Sequence, residues 1–371
     1  MRILFWAQDY LPSVGGAEIL LGALATRLVG DGHVVAVLAT IHHDALPQSA
    51  VRDGVAVHRF RLRQAVEARD LALMTGELQR VTAFKSSFRP DLVHVHLTGP
   101  DIFFHLRTES AWPCPFVMTT HVGLPRGGLG DGSAIQKGFA RAARILTVST
   151  ALRDEVVAIS PAAADKTSVV YNGLPAPARD PAPLEVAAPT LLCIGRLVED
   201  KGFDTAIEAL PAILARHPDV RLVIVGDGPS RDGLEARATA LGTGGAVDFR
   251  GRVAPSGIPD LINAAALVLV PSRWREAFGL VALQAAQLAR PVVASDTAGL
   301  AEVVADGETG LLVPKDDPTR LADAVCRLLS DPAHARRLGA AARRRAGRLF
   351  NFDSFVRAHY QTYADILERG R

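Results

Sequence analysis

The residues best suited to chemistry in this 371-residue chain are two cations and one acid that stand beside glycines. Arg196 and Lys201 follow one apolar run, which predicts a buried strand. Glu276 follows a second such run, Ala264–Val270, and the strong helix formers Gly279–Ala289 come just after it. A helix N-terminus offers free backbone N–H groups and the positive end of a dipole. The pattern therefore predicts a site for an anion; the alternative is an ordinary strand–helix crossover with a solvated loop.

The two cations differ in how they hold an anion. The guanidinium of Arg196 can clamp a phosphate through two parallel hydrogen bonds, whereas the ammonium of Lys201 acts as a compact point charge. Amides at Phe278–Leu280 would add oriented donors at the start of the helix. The competing interpretation is that both cations form surface ion pairs with Glu199 and Asp200.

Histidines are a second group of candidates, in the first half of the chain. His121 follows the predicted strand Phe116–Thr120, and a doubly wound sheet binds its ligands at the carboxyl ends of its strands. His94 and His96 share one face of the predicted strand Asp91–His96, because side chains alternate with a period of two. A metal site would need a third ligand, so a core or cleft-edge role is favoured for this pair.

A glycine pair, Gly15-Gly16, separates the predicted strand Ile3–Ala7 from the predicted helix Ala17–Val29. Glycine there lets the backbone approach a phosphate closely, or it serves only the entry into the helix. The pair is not the GxGxxG fingerprint of dinucleotide-binding proteins, so a nicotinamide cofactor is not expected.

Strands and helices alternate along both halves of the sequence, which predicts an α/β protein. We expect two Rossmann-like, doubly wound parallel-sheet domains that face a central cleft. Residues 1–178 form the first domain and residues 190–351 the second. Five prolines between 174 and 189 mark a break, and residues 179–189 are taken as the linker. The amphipathic helix in residues 352–371 is expected to pack back onto the first domain.

Composition narrows the class of protein further. The formal net charge is +2, which argues against a dedicated nucleic-acid binder. Three cysteines, with no CxxC pattern, fit a reducing compartment. The N-terminal apolar run is too short for a signal peptide, and no uncharged run of about 18 apolar residues is present. These features predict a soluble cytoplasmic protein. The basic helical segment Arg61–Phe88 is favoured as a solvated face, with contact to an anionic acceptor or a membrane surface left open.

Several short motifs, each weak alone, occur in order along the whole chain and together resemble the family-4 retaining glycosyltransferases of the GT-B fold. They are Gly15-Gly16, Asn172-Gly173, Gly195-Arg196, Lys201-Gly202, Gly226-Asp227-Gly228-Pro229, Glu276 to Leu280, and Glu302 with Gly307 and Gly310 to Val313. The resemblance implies transfer of a hexosyl unit from a UDP- or GDP-linked sugar to an acceptor hydroxyl, with retention and with neither a metal nor another cofactor. The acceptor is left open among saccharides, lipid-linked sugars, aminocyclitols and small natural products.

The resemblance also implies roles for individual residues. Glu276 would bind hydroxyls of the transferred sugar, Gly16 would lie against the diphosphate, and His121 would face the sugar and the acceptor. The implied catalytic residues are His121, Glu276, Arg196 and Lys201. The implied donor-binding residues are Gly15, Gly16, Arg196, Lys201, Val253, Glu276, Ala277, Phe278, Gly279, Leu280 and Gln284. The implied acceptor-side residues are His96, His121 and Gly123.

One position departs from the family pattern. The second acid of the family, eight residues after Glu276, is Gln284 here. Glutamine keeps an acceptor oxygen but loses the charge, so weaker donor binding is expected. Two other functions stay open: a sugar-nucleotide 2-epimerase on the same architecture, and a non-catalytic nucleotide-sugar-binding protein.

Overall fold

The computed structural model describes residues 1–12, 15–41, 46–97, 101–124, 130, 132–184 and 187–369. Residues 185 and 186 of the predicted linker, and 370 and 371 of the predicted terminal segment, lie outside these ranges. The chain divides into two compact units, the first being Met1–Gly173 with Asp353–Arg371 and the second Leu174–Phe352. Within the described ranges, no helix is long and apolar enough to cross a membrane.

The first unit is built on an eight-stranded sheet with the strand order β3-β4-β2-β1-β5-β6-β7-β8. Its strands are β1 (Arg2–Ala7), β2 (Val34–Thr40), β3 (Ser49–Arg52), β4 (Val55–Phe60), β5 (Leu92–Leu97), β6 (Phe116–Thr120), β7 (Arg144–Thr147) and β8 (Thr167–Val169). Its first six helices are α1 (Gly16–Gly30), α2 (Leu62–Glu67), α3 (Leu71–Phe88), α4 (Asp101–Thr108), α5 (Ala134–Arg141) and α6 (Thr150–Ile159). The central strands are apolar runs buried on both faces, as parallel strands covered by helices must be.

The short edge strand β3 is the one antiparallel element of this sheet. It pairs with β4 through the turn Asp53-Gly54, in which both residues have positive φ, 50° and 79°. An Asp-Gly pair is the usual signal for such a hairpin turn. Our sequence analysis does not include β3, because its four residues are short and mostly exposed.

The second unit holds a six-stranded, all-parallel sheet with the order β11-β10-β9-β12-β13-β14. Its strands are β9 (Thr190–Ile194), β10 (Arg221–Val225), β11 (Val247–Gly251), β12 (Leu267–Val270), β13 (Val292–Ser295) and β14 (Gly310–Val313). Its helices are α7 (Phe203–Leu214), α8 (Arg231–Ala240), α9 (Ile258–Ala264), α10 (Leu280–Gln287), α11 (Ala298–Val303), α12 (Pro318–Ser330) and α13 (Pro332–Leu349). The prediction of two Rossmann-like parallel-sheet domains is therefore confirmed, while the central cleft stays a prediction.

The strand order of each unit creates a switch point. There, the connections that leave two neighbouring strands run toward opposite edges of the sheet. In the first unit β1 lies between β2 and β5, and in the second β9 lies between β10 and β12. Ligands of doubly wound sheets bind at the carboxyl ends of such strands. The loops after β1, β5 and β6, and those after β9 and β12, are therefore where side chains can meet a ligand.

The proline-rich segment after Gly173 is bound to the second unit along much of its length. Arg290, which is 2% exposed, donates hydrogen bonds to the carbonyls of Ala182 (2.6 Å) and Ile262 (3.2 Å). Gln287 donates to the carbonyl of Leu174 at 3.1 Å. The boundary between the units thus falls at Gly173, ahead of residues 179–189, where the prolines led us to place the linker.

The last helix, α14 (Phe352–Arg369), belongs almost entirely to the first unit. Tyr360 donates its hydroxyl to Asp31 at 2.8 Å, and Arg27 pairs with Asp353 at 2.9 Å. The buried face of α14 includes Tyr363, which is fully buried. Helical spacing of the apolar side chains places this face against the sheet.

Candidate functional site

In the second unit, the loop after β9 and the loop after β12 are packed against each other because their strands are neighbours. Gly202, with a φ of +63°, ends a short 3₁₀ turn over Glu199–Lys201. A Cβ atom at Gly202 would lie 2.0 Å from the carbonyl oxygen of Pro271, so only glycine fits there. The amide of Arg273 also donates to the carbonyl of Asp200 at 2.9 Å. The two loops are held as one surface.

This packing brings together two of the predicted site residues, Lys201 and Glu276. The ammonium of Lys201 forms an ion pair with the carboxylate Oε1 of Glu276, and the hydroxyl of Ser272 donates to the same oxygen at 2.8 Å. The two charged side chains are 30% and 20% exposed. The pair is therefore shielded enough to hold its geometry and open enough to meet a ligand.

Just beyond Glu276, the chain enters α10 through Gly279, whose φ is +103°. A side chain there would also collide with Leu300, at 2.4 Å from the new Cβ. Phe278 is buried and packs edge-on against Phe350, with ring centroids 5.3 Å apart. Because Gly279 has no side chain to cap the helix, the first amides of α10 can take an anion.

Arg196, Gln284 and Val253 are further predicted donor-binding residues of this unit. Arg196 is exposed on the same loop as Lys201, and the next residue, Leu197, is buried and donates its amide to the carbonyl of Asp227 at 3.0 Å. Gln284 is half-buried, one turn into α10, whereas Val253 follows the edge strand β11. The structure thus joins Lys201 to Glu276. Arg196 lies on the loop of Lys201, whereas Val253 follows β11, which is two strands away from β9 in the sheet.

Arg273 is a residue of this surface that our sequence analysis does not include. Its guanidinium forms ion pairs with Asp204, in the first turn of α7, and with Asp316, which follows β14. It therefore ties three loops of the carboxyl edge together. Sequence spacing could not show this, because the partners are 69 and 43 residues away.

In the first unit, His121 stands at the end of β6 and contacts His96 on the neighbouring strand β5. His96 Nδ1 and His121 Nε2 are 2.9 Å apart, and the two rings are stacked at 5.2 Å with an angle of 23°. Gly123 follows two residues later and is half-buried. The three predicted acceptor-side residues therefore lie at one edge of the sheet.

The predicted diphosphate-binding glycines, Gly15 and Gly16, begin α1 after β1. Gly15 is extended, with φ −150°, a conformation that any residue adopts. A Cβ atom there would meet only the far end of the Glu18 side chain. Entry into the helix thus does not by itself require glycine at 15, which favours the interpretation that the backbone leaves room for a ligand.

Behind His121 and His96 lies a second layer of polar side chains inside the unit. His94 contacts the hydroxyl of Tyr363 at 2.6 Å and that of Thr119 at 2.7 Å, and it stacks on His96 at 4.0 Å. His359 of α14 lies beside His94, with ring centroids 5.6 Å apart. Sequence analysis did not find Tyr363 and His359, because α14 lies more than 200 residues beyond β5 and β6.

These histidines are held neutral at pH 7. Burial lowers the pKa of His94 and His96 well below the ordinary value of 6.5. Burial also lowers the pKa of His121 to about 4 and that of His359 to about 4. Each neutral ring has one donor and one acceptor nitrogen. Both nitrogens of His94 already have partners and His96 is buried, whereas His121 is half-buried and can meet a ligand hydroxyl. Within the described ranges, no group of three or more His, Cys, Asp or Glu side chains could hold a metal ion.

Two protein-family models match the chain, one in each half. Residues 14–176 match the model described as Glycosyltransferase Family 4, and residues 178–345 match that described as Glycosyl transferases group 1. The glycogen synthase of Mycobacterium tuberculosis is 31% identical over 398 aligned residues, which cover 98% of this chain and 94% of that protein.

Solved structures of other proteins share the fold. Sucrose-phosphate synthase (tll1590) from Thermosynechococcus elongatus superposes with a TM-score of 0.83 at 23% identity, over 99% of this chain and 99% of that one. Anabaena Alr3699/HepE in complex with UDP-glucose superposes with a TM-score of 0.81 at 24% identity, over 98% of this chain and 99% of that one.

Proposed function

Because the chain belongs to the glycosyl transferases of group 1 and is a hexosyltransferase, we propose that its donor is a nucleotide-diphosphate hexose and that it retains the anomeric configuration. The acceptor supplies a hydroxyl group. The resemblance to the family-4 glycosyltransferases that the motifs predict is confirmed. The donor, the stereochemistry and the roles of individual residues are the parts that we propose.

The observation that carries the proposal is the Lys201–Glu276 pair beside the N-terminus of α10. In the reaction, the bond between the anomeric carbon and the diphosphate oxygen breaks, and the acceptor oxygen bonds to that carbon from the same face. The acceptor proton passes to the departing diphosphate. Negative charge therefore grows on the leaving group, and fixed positive groups aimed at it lower the barrier.

We assign that positive charge to side chains and to the backbone. Lys201 acts as a point charge, Arg196 as a bidentate clamp, and the first amides of α10 as oriented donors. Together they do what a divalent cation does in other transferases, so we propose that transfer needs no metal. Glu276, held by Ser272, binds hydroxyls of the transferred hexose.

Residues of the first unit contribute to binding the donor and the acceptor. Gly16 gives the backbone room beside the diphosphate, and His121, backed by His96, faces the sugar and the acceptor. Both lie at the carboxyl edge of their sheet, where ligands of this architecture bind.

The test is a screen of donors against acceptors with the purified protein. UDP-glucose comes first among the donors, since the Anabaena relative in fold was solved with it, and GDP-linked hexoses come next. Acceptors include saccharides, lipid-linked sugars and aminocyclitols. We expect a product with the anomeric configuration of the donor by NMR, formed equally with EDTA. The proposal would be refuted if the whole panel showed no transfer, no donor hydrolysis and no nucleotide binding.

Gln284 is the one observation that favours a non-catalytic alternative, a protein that only binds the nucleotide sugar. Its half-buried amide replaces the acid of the family, and a neutral acceptor holds ribose hydroxyls less strongly than a carboxylate does. In that case the donor would raise the melting temperature without turnover.

A further inference from the structure

The facing nitrogens of His96 and His121 must share one hydrogen to form a hydrogen bond. Which of the two nitrogens carries that hydrogen has a consequence for catalysis. The two facing nitrogens are 2.9 Å apart, and both rings are neutral. Two bare nitrogens would repel each other, and two N–H groups would collide. One ring must therefore donate and the other must accept. The ring that donates is left with a bare outer nitrogen, and the ring that accepts carries its hydrogen on its outer nitrogen.

The second nitrogen of His96 decides between the two arrangements. His96 Nε2 is buried and has no hydrogen-bond partner in the part of the chain that the structure describes. If His96 accepted at Nδ1, its own hydrogen would sit on Nε2 as a buried N–H with no acceptor, and orphaned N–H groups are rare in proteins. A hydrogen on His96 Nδ1 avoids that state. His121 then accepts at Nε2 and carries its own hydrogen on Nδ1.

The ring of His96 is locked in this orientation by what surrounds it. It stacks on His94, whose two nitrogens both have partners, Tyr363 and Thr119. The ring of Phe5 packs edge-on at 5.1 Å from it. Rotating the His96 ring by half a turn would place a carbon against His121 and lose the hydrogen bond. The stack therefore holds the donor nitrogen in place.

We propose that His96 is the positioning residue of His121: by donating Nδ1–H to His121 Nε2, it makes His121 Nδ1–H a hydrogen-bond donor toward an oxygen of the sugar or of the acceptor. This inference rests on the proposed function and goes further, since it gives His121 the role of a donor and not of a base. The α14 helix takes part through Tyr363, which fixes His94.

The test compares two variants at one position. His96→Leu removes the donor and keeps an apolar side chain of similar size in the buried site. His96→Asn keeps an N–H donor, because the amide nitrogen of asparagine falls where Nδ1 of histidine lies. Both are compared with the unmodified protein by ¹⁵N NMR of the labelled histidine rings, which reports the protonated nitrogen of His121 without any substrate. The kcat and KM values for donor and acceptor follow.

We expect the unmodified protein to show His121 protonated at Nδ1. His96→Leu should mix or reverse this tautomer and lower kcat roughly tenfold, as expected for loss of one buried hydrogen bond, with KM nearly unchanged. His96→Asn should restore the tautomer and most of kcat. His121 protonated at Nε2 in the unmodified protein would overturn the inference, and so would equal losses of kcat in both variants without a change of tautomer.

The NMR result separates this inference from the proposed function. Should transfer activity be absent in every donor and acceptor pair, the tautomer of His121 in the unmodified protein still decides the role of His96. Should His96→Leu fail to fold, the same measurement on the unmodified protein and on His96→Asn decides it.

Discussion

The Lys201–Glu276 pair makes a prediction in which two neighbouring substitutions act in opposite directions. If Lys201 binds the diphosphate, it must first give up part of its bond to Glu276. Glu276→Gln weakens that bond while it keeps the shape of the side chain and an acceptor for Ser272. Binding of the nucleoside diphosphate without its sugar should therefore become tighter, although transfer of the hexose should become slower.

The size of the effect follows from the exposure of the pair. With side chains 30% and 20% exposed, the pair is worth about 1 kcal/mol, at the upper end for exposed pairs. Glu276→Gln should tighten UDP or GDP binding about fivefold. A charge-assisted contact to phosphate is worth roughly 2 to 3 kcal/mol. Lys201→Met loses that contact and no longer has to break the pair, so binding should weaken by about 1 to 2 kcal/mol, or roughly five- to thirtyfold.

Calorimetric titration of UDP and GDP into the three proteins measures these changes. The control is Arg221→Met, which removes one positive charge at the start of β10, the opposite end of the strand from the site. It should alter affinity by less than about twofold at 0.15 M salt, because screening removes distant charge effects. If Glu276→Gln weakens the binding of the free diphosphate, or Lys201→Met leaves it unchanged, Lys201 is not a ligand of the diphosphate.

Three further predictions concern single residues. Lys85 is 1% exposed in the first unit, and burial lowers its pKa from 10.5 to about 7. Between about pH 7 and 10.5 the unfolded chain therefore binds more protons than the folded one. The free energy of unfolding should rise with pH over that range. Lys85→Met should flatten that rise, whose full extent is at most about 5 kcal/mol, in urea unfolding followed at several pH values; an unchanged slope would show that Lys85 does not titrate there. Gly202→Ala should lower the free energy of unfolding by roughly 2 to 4 kcal/mol, because alanine disfavours the left-handed conformation and its Cβ would lie 2.0 Å from the oxygen of Pro271. The control is Gly233→Ala in α8, where the new Cβ has open space around it. That substitution should raise the free energy of unfolding by about 0.5 to 1 kcal/mol. Equal melting temperatures for these two glycine variants would contradict the packing of the two loops. Gln284→Glu should tighten binding of the donor by about 1 kcal/mol if this side chain meets the ribose, and titration with UDP-glucose would show no change if it does not.

The alternation of strands and helices could be predicted from sequence because strands buried on both faces are continuous apolar runs. The strand Phe116–Thr120 has the bounds that the apolar pattern gives it. The edge strand β3 could not be predicted in this way, because it has only four residues and most of them are exposed to solvent.

The site was only partly predictable, for a physical reason. Motif residues such as Lys201, Glu276 and His121 stand next to strand ends, and their positions along the chain show this. Their partners depend on which strands are neighbours: β9 pairs with β12, although two strands lie between them in sequence. The Lys201–Glu276 pair therefore could not be read from spacing, and the Tyr363–His94 contact depends on a helix at the other end of the chain.

The path of the chain limits how either unit could be produced alone. A fragment of the second unit that starts at residue 190 would strip the Arg290 guanidinium of its bond to Ala182, leaving a buried cation short of acceptors. The fragment should begin at Leu174. The first unit is discontinuous, so cutting after Gly173 would remove α14 and expose His94 to water. To produce the first unit as a stable fragment, residues 353–369 should be fused to Gly173 through a designed linker.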